Sequence, residues 1–226
     1  ALLVIEPKLF LSFSTTFMAK LMINTDHNSN FGLYIHWPFC LSKCPYCDFN
    51  SHVSEFVDHS RWQNALLREL NFLSRNLIGK KLKSIFFGGG TPSLMDPNTV
   101  FSIIQAARKL WPTNEYVEIT LEANPSSVEY QTFELFKDAG VNRISLGIQA
   151  LDDKSLAFLG REHSKYDAIN ALEAAHKSFD RVSFDLIYAR PEQSLKNWMT
   201  ELDHALALAG EHISVYQLTI EKGTAF

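Results

Sequence analysis

From residue 32 onward, short apolar runs alternate with stretches of helical periodicity, and that alternation constrains the fold more than any other feature of the chain. Runs at 33–37, 84–87, 116–121, 143–148, 181–188 and 212–218 read as six strands. After the first strand, Trp62, Leu66, Leu70, Leu73 and Leu77 recur at helical intervals and put one apolar face on a helix. Asp96 before Pro97 is an N-cap with proline at the first helical position, opening a helix to about residue 110. A helix over 128–139 is expected to stop at Gly140, and one over 195–209 at Gly210. Ser164 and Asp167 form a capping box ahead of a helix over 165–178.

Strand–helix repeats build parallel sheets, because each crossover returns the chain to the end from which the last strand started. Glycine, proline and polar residues concentrate after the strands, which fits an α/β sheet closed or nearly closed into a barrel with active residues at its C-terminal face. An open doubly wound sheet is the alternative, and periodicity does not separate the two. The 226 residues suffice for one domain without disulfides or metal to complete its core. With 21 basic and 25 acidic side chains and no basic tract, no nucleic-acid partner is expected. Residues 1–23 are apolar but broken by Glu6, Pro7, Lys8 and Lys20, so they form no membrane-spanning run, and their start is not basic as a signal peptide's would be. The expected organisation is an N-terminal extension over 1–30, partly ordered and ending in a polar linker over 26–30, then a core over 31–226. Met18 and Met22 are candidate natural starts.

The chain has three cysteines, Cys40, Cys44 and Cys47, in CxxxCxxC spacing directly after the first strand. An odd, clustered set is a poor disulfide framework and a good metal site in a reducing compartment. Three thiolates can each hold one iron of a [4Fe-4S] cube and leave the fourth iron open; zinc with His36 or His52 as fourth ligand is the alternative. The cluster Gly88-Gly89-Gly90-Thr91-Pro92-Ser93 lacks the ending of a phosphate-binding P-loop, which leaves a nucleotide triphosphatase little support.

The cysteine run, with Tyr34-Ile35-His36-Trp37-Pro38-Phe39 before it and Asp48-Phe49 after it, resembles the radical S-adenosylmethionine (SAM) superfamily. The resemblance extends from Tyr34 to Phe226 through the glycine cluster, Glu122-Ala123-Asn124-Pro125, Ser145-Leu146-Gly147-Ile148-Gln149, Leu159-Gly160-Arg161-Glu162-His163 and Phe184-Asp185-Leu186-Ile187-Tyr188. It implies a partial (β/α)6 TIM-like barrel. It also implies a [4Fe-4S] cluster on Cys40, Cys44 and Cys47, whose open iron is chelated by the amino and carboxylate groups of SAM. Reductive cleavage of the sulfonium then yields methionine and a 5′-deoxyadenosyl radical. On the same resemblance, Tyr34 and Tyr46 lie beside the cofactor, with Tyr46 near its adenine. Gly89, Gly90 and Thr91 flank the methionine amino end, Arg161 meets the carboxylate, and Glu122, Gln149 and Asp185 contact ribose hydroxyls or the ammonium. Each has a purely structural reading: core aromatics, a strand-to-loop turn, backbone caps, a surface ion pair, and packed histidines at His36 and His163.

Within the superfamily the chain resembles the branch of heme chaperones of the HemW type and oxygen-independent coproporphyrinogen III oxidases. The oxidases continue their cluster motif as CxxxCxxCxC; here that position is Phe49, which favours the chaperone side. The stretch from Ser214 to Phe226 resembles that side too. The implied function is binding of heme as cargo and its transfer to a membrane respiratory acceptor, with an electron donor for the cluster and porphyrinogen decarboxylation as the alternative. The location this implies is cytoplasmic, peripheral to the membrane through the partner. Members of that branch carry a further C-terminal region, which is expected to be missing from this chain.

Overall fold

The computed structural model describes residues 2–5 and 30–226; most of the expected N-terminal extension, including 26–29 of the linker, lies outside the described residues. In chain order the strands are β1 (Leu2–Ile5), β2 (Asn30–Trp37), β3 (Phe39–Cys40), β4 (His52–Val53), β5 (Lys81–Gly89), β6 (Glu118–Ala123), β7 (Arg143–Gln149), β8 (Arg181–Tyr188) and β9 (Ser214–Gln217). The helices are α1 (His59–Ser74), α2 (Pro97–Leu110), α3 (Ser127–Tyr130), α4 (Phe133–Asp138), α5 (Asp153–Phe158), α6 (Lys165–Ser178) and α7 (Leu195–Leu208), with a 3-10 turn at Pro92–Leu94.

The main sheet has the order β1-β2-β5-β6-β7-β8-β9. Strand β1 runs antiparallel to β2, and the other six are parallel in the order in which they occur. A doubly wound sheet reverses its strand order at a switch point; this one never does. The six form an open parallel half-barrel flanked by helices, and β1 and β9 are the edges of the seven-stranded sheet.

Strand periodicity sorts the side chains to two faces. Phe31, Leu33, Ile35 and Trp37 of β2, Ile85 and Phe87 of β5, Ile119 and Leu121 of β6, Ile144 and Leu146 of β7 and Phe184 and Leu186 of β8 are buried in one core with the helices. Leu66 and Leu70 of α1, Val100, Ile103, Ile104 and Ala107 of α2, and Ala168, Ala171, Leu172 and Ala175 of α6 complete it at helical spacing. Each such large side chain stabilises the fold by about 1.5–3 kcal/mol. The alternate strand positions, Tyr34, Thr120, Glu122, Arg143, Ser145, Ser183 and Asp185, are polar and turn into the half-barrel.

Helices α2 and α6 have the expected bounds, because Asp96 and Ser164 cap them as the sequence indicates. The helix expected over 128–139 is two pieces. Glu129 bonds to Ser93, Ser126 and the Asn124 amide, so its turn belongs to the loop after β6 and α4 starts afresh at Phe133. Helix α7 ends with Ala209 in extended conformation, so its stop precedes Gly210. Helix α5 had no expectation; Asp152 caps it by accepting from the Ser155 amide at 2.8 Å.

Candidate functional site

The cysteine loop is an excursion whose two ends are clamped together. Phe39 and Cys40 pair with His52 and Val53, and the His52 and Ser54 amides donate to the carbonyls of Pro38 and Cys40 at 2.7 and 3.1 Å. His36 Nε2 meets the Asn50 carbonyl at 3.0 Å, tying the far side of the loop to β2. Pro45 is gripped from outside: Gly160, at φ +65°, packs so closely that an added Cβ would stand 2.5 Å from the Pro45 ring. The amides of Ala225 and Phe226 donate to the Pro45 carbonyl at 2.9 and 3.3 Å. Tyr46 packs with Leu218 and Phe226 on a small core of Ala150, Leu156, Leu159 and Ile187.

Strand β5 delivers the glycine cluster beside this loop. The Gly90 and Thr91 amides donate to the Trp37 and Phe39 carbonyls at 2.7 and 2.8 Å. A Cβ on Gly90 would stand 2.6 Å from the Phe39 carbonyl oxygen and 3.0 Å from Cys40 Sγ, so only glycine lets the two loops touch. Gly90→Ala is expected to cost about 1–3 kcal/mol in thermal stability by overpacking. It should also lower the iron retained after anaerobic reconstitution, because it displaces the loop that holds Cys40.

The loops meet over a cavity of about 430 Å³ at the C-terminal ends of the strands, a size typical of small-molecule sites. All three cysteines line it, together with Tyr46, Gly89, Gly90, Thr91, Glu122, Gln149, Arg161 and Asp185. Tyr34 does not; it stacks on Phe86 below the cavity, its hydroxyl 3.5 Å from His36 Nδ1. Asn124, Ser145, Gly147 and Tyr216 line the cavity without having been assigned a role. Asn124 was legible by strand period, since it lies two residues beyond Glu122 on the same face.

Arg161 is half-buried among the site residues rather than paired at the surface. Its Nη1 donates to Cys44 Sγ at 3.1 Å, and its Nη2 to Asn124 Oδ1 at 2.6 Å and the Gly147 carbonyl at 2.8 Å. Its Nε is buried without a partner. Glu122 accepts from the Gly89 amide at 3.2 Å. Burial, helped by the nearby Asp185 charge, pushes the Glu122 carboxyl up to about 7, and burial pushes that of Asp185 up to about 6. His163 Nε2 donates to the Ile148 carbonyl, 3.0 Å away; burial, then the Arg161 charge, lowers its pKa to about 4, so at neutral pH it is uncharged. Gln149 ends β7 past a register shift, with φ +74°, a strained conformation of the kind found where a fold holds a functional side chain.

These residues fit a cube with a small-molecule ligand. Three free thiols, the Arg161 guanidinium, a glycine cradle and two half-buried carboxyls line one space, and the Arg161 Nε–H beside it is buried without a partner. No group of three or more His, Cys, Asp or Glu side chains forms a single-ion site among the described residues. A cube puts each thiolate on a different iron and spreads the sulfurs further than one tetrahedral zinc does. His36, one of the zinc alternatives, has its Nε2 engaged by Asn50.

Comparison with known proteins agrees with this geometry. The profile of the Radical SAM superfamily matches residues 34–205. The mitochondrial radical S-adenosyl methionine domain-containing protein 1 of Bos taurus is 42% identical over 85% of this chain and 44% of its own length. The heme chaperone HemW of Escherichia coli (strain K12) is 41% identical over 86% of this chain and 52% of its own. The chain thus spans about half the length of the curated relatives it matches. Among solved structures, coproporphyrinogen III oxidase (HemN) of Escherichia coli, a radical SAM enzyme, superposes with a TM-score of 0.73 at 24% identity, covering 85% of this chain and 44% of its own. With the half-barrel, the cysteine loop and the cavity between them, these matches lead to one assignment: the chain belongs to the radical SAM superfamily.

Proposed function

We propose that this chain is the SAM-binding core of a radical SAM enzyme of the heme pathway, and that the protein handles heme as cargo. The observation that carries the cofactor part is the convergence of Cys40, Cys44 and Cys47 with Arg161, Glu122 and Asp185 on one cavity. When bound, the cluster and SAM supply reductive cleavage of a carbon–sulfur bond. The chain's own residues would bind and orient: the thiols would hold three irons, Arg161 would pair with the methionine carboxylate, and the carboxylates and Gln149 would receive N–H groups of the amino end and the ribose hydroxyls. Tyr46, with Leu218 and Phe226 behind it, walls the adenine end against water.

The heme reading is supported by 41% identity to the heme chaperone HemW, and by exposed Phe49 where the oxidase motif has a fourth cysteine. It includes transfer to a membrane respiratory acceptor from the cytoplasmic side, with a separate electron donor. No helix among the described residues is long and apolar enough to cross a membrane. Decarboxylation of coproporphyrinogen III is the second reading, favoured by the fold shared with the oxidase. The two separate in one assay of the cluster-loaded protein with SAM, an electron donor and either tetrapyrrole. Heme binding with no decarboxylation is expected; stoichiometric decarboxylation of coproporphyrinogen III would replace the chaperone reading with the oxidase one.

A further inference from the structure

Below the cavity floor, Arg143 places a permanent charge inside the half-barrel. The residue is 8% exposed. Its Nη1 donates to Thr120 Oγ1 at 3.2 Å, and its Nη2 to Ser183 Oγ at 2.7 Å and His212 Nδ1 at 2.8 Å. A guanidinium only donates and does not lose its proton, so His212 presents an unprotonated Nδ1, and all three acceptors are neutral. A buried cation without a contacting counter-ion is costly, and hydroxyls repay that only in part. The two carboxyls of the site stand above it on the neighbouring strands. The register sets Arg143 opposite Thr120, Glu122 one inward layer above it, and Asp185 one layer above Ser183.

We propose that Arg143 is a positioning residue of the cofactor site: its fixed guanidinium opposes protonation of Glu122 and Asp185 beneath the bound SAM, so that more of their negative charge is available to attract its sulfonium. The proposal rests on the cofactor reading above and assigns a role to a residue outside the cavity wall. The other groups facing the two carboxyls are accounted for. They are Tyr34 on β2, the Gly89 amide at the end of β5, Ser214 and Tyr216 on β9, and Arg161 on the loop after α5. Of these, Arg161 alone is a fixed cation, and its bonds go to Cys44, Asn124 and the Gly147 carbonyl. Burial drives both carboxyls toward protonation; at Glu122 the Gly89 amide and then the Arg143 charge oppose it, and at Asp185 the Ser214 side chain, then Arg143 and Arg161. A neutral carboxylic acid would hold a cationic ligand far less well than a carboxylate.

The test is SAM binding by calorimetry to the cluster-loaded protein between about pH 5 and pH 9, with the carboxyl carbons of Glu122 and Asp185 titrated by NMR without SAM. Wild-type affinity should rise with pH as the two carboxyls ionise. Arg143→Gln keeps a hydrogen-bonding side chain and removes the charge. It is expected to move the rise upward by about one pH unit and to weaken binding about tenfold at pH 7, with little loss at the alkaline end. Arg143→Lys should return the midpoint to the wild-type value. An equal loss of affinity at every pH, or carboxyl titrations that Arg143→Gln leaves in place, would overturn the proposal and reduce Arg143 to packing. If wild type binds no SAM, the cofactor reading fails, while the carboxyl titrations still test the charge. Should Arg143→Gln not fold, Ser183→Ala and His212→Ala each loosen the guanidinium. Upward shifts of the carboxyl titrations would support the proposal, and unmoved titrations would reject it.

Discussion

Replacing Cys44 with alanine is expected to reduce the iron bound after anaerobic reconstitution from about four per monomer to well below one. Cys40→Ala and Cys47→Ala should do the same. A cube held by three protein thiolates has no spare protein ligand, so two remaining cysteines leave two irons open and the cluster labile. The chain has no other cysteine to substitute. Cys44 carries an additional load, because its sulfur accepts from Arg161, which also holds Asn124 and the end of β7. Its removal should therefore loosen the cavity wall as well as the cluster, and SAM binding should fall even where residual iron is present. Iron and acid-labile sulfide analysis, with electron paramagnetic resonance of the reduced protein, reads the result directly. Wild-type iron content in Cys44→Ala, or zinc in place of iron and sulfide in the parent, would end the three-thiolate assignment.

A second large effect is expected away from the cavity, at Glu201. Its carboxylate makes a two-point contact with Arg190, and both side chains are nearly enclosed, at 10% and 6% exposure. Glu201 also accepts from the Leu151 amide at 2.9 Å and from Gln193 at 3.2 Å, while Arg190 donates to the Ile187 carbonyl at 2.9 Å. One carboxylate thus joins α7 to the loops that follow β7 and β8. Arg190 and Pro191 lie between Ala189 and Glu192, both in left-handed backbone conformation at φ +58° and +62°, a turn that is strained without such restraint. Glu201→Ala leaves the buried Arg190 guanidinium only the half-exposed Asp152 carboxylate, 3.8 Å away, at a cost of about 3 kcal/mol, the low end for breaking a buried pair. For a chain of this size that corresponds to a fall in Tm of about 10 °C. Thermal melts of Glu201→Ala and Glu201→Gln measure it. The amide keeps part of the hydrogen bonding and should lose less; a melt unchanged in the alanine variant would show that the pair contributes nothing.

The sequence made the half-barrel legible because its signals are local. Asp96-Pro97 and the Ser164–Asp167 box set helix starts by backbone chemistry that needs no knowledge of the rest of the chain. What it hid depends on residues far apart. The break between α3 and α4 arises because Glu129 is drawn to Ser93, 36 residues away, in preference to continuing its own helix. The absence of strand reversal, which separates a half-barrel from a doubly wound sheet, is a property of pairing that periodicity cannot carry. At the site, motif resemblance found the lining side chains on β6, β7 and β8 but not the charge beneath them. Arg143 belongs to no cysteine or glycine signature, and its neighbours Thr120, Ser183 and His212 come from β6, β8 and the loop before β9. Tyr34 shows the converse: it stands in a motif, yet it belongs to the layer below the cavity.

The grip on Pro45 has a consequence for how the protein is made. The cysteine loop leaves the ribosome early, but the amides that hold its central carbonyl belong to Ala225 and Phe226, and the aromatic wall behind Tyr46 is completed by the Phe226 ring stacked 5.0 Å from Phe158. Synthesis proceeds at about 5–20 residues per second, so the three thiols spend roughly 10 to 35 seconds on a nascent chain before their loop acquires its outer support. Iron–sulfur loading that needs the finished loop must wait until translation has passed residue 226, and until then the thiols are exposed to oxidation and to competing metals.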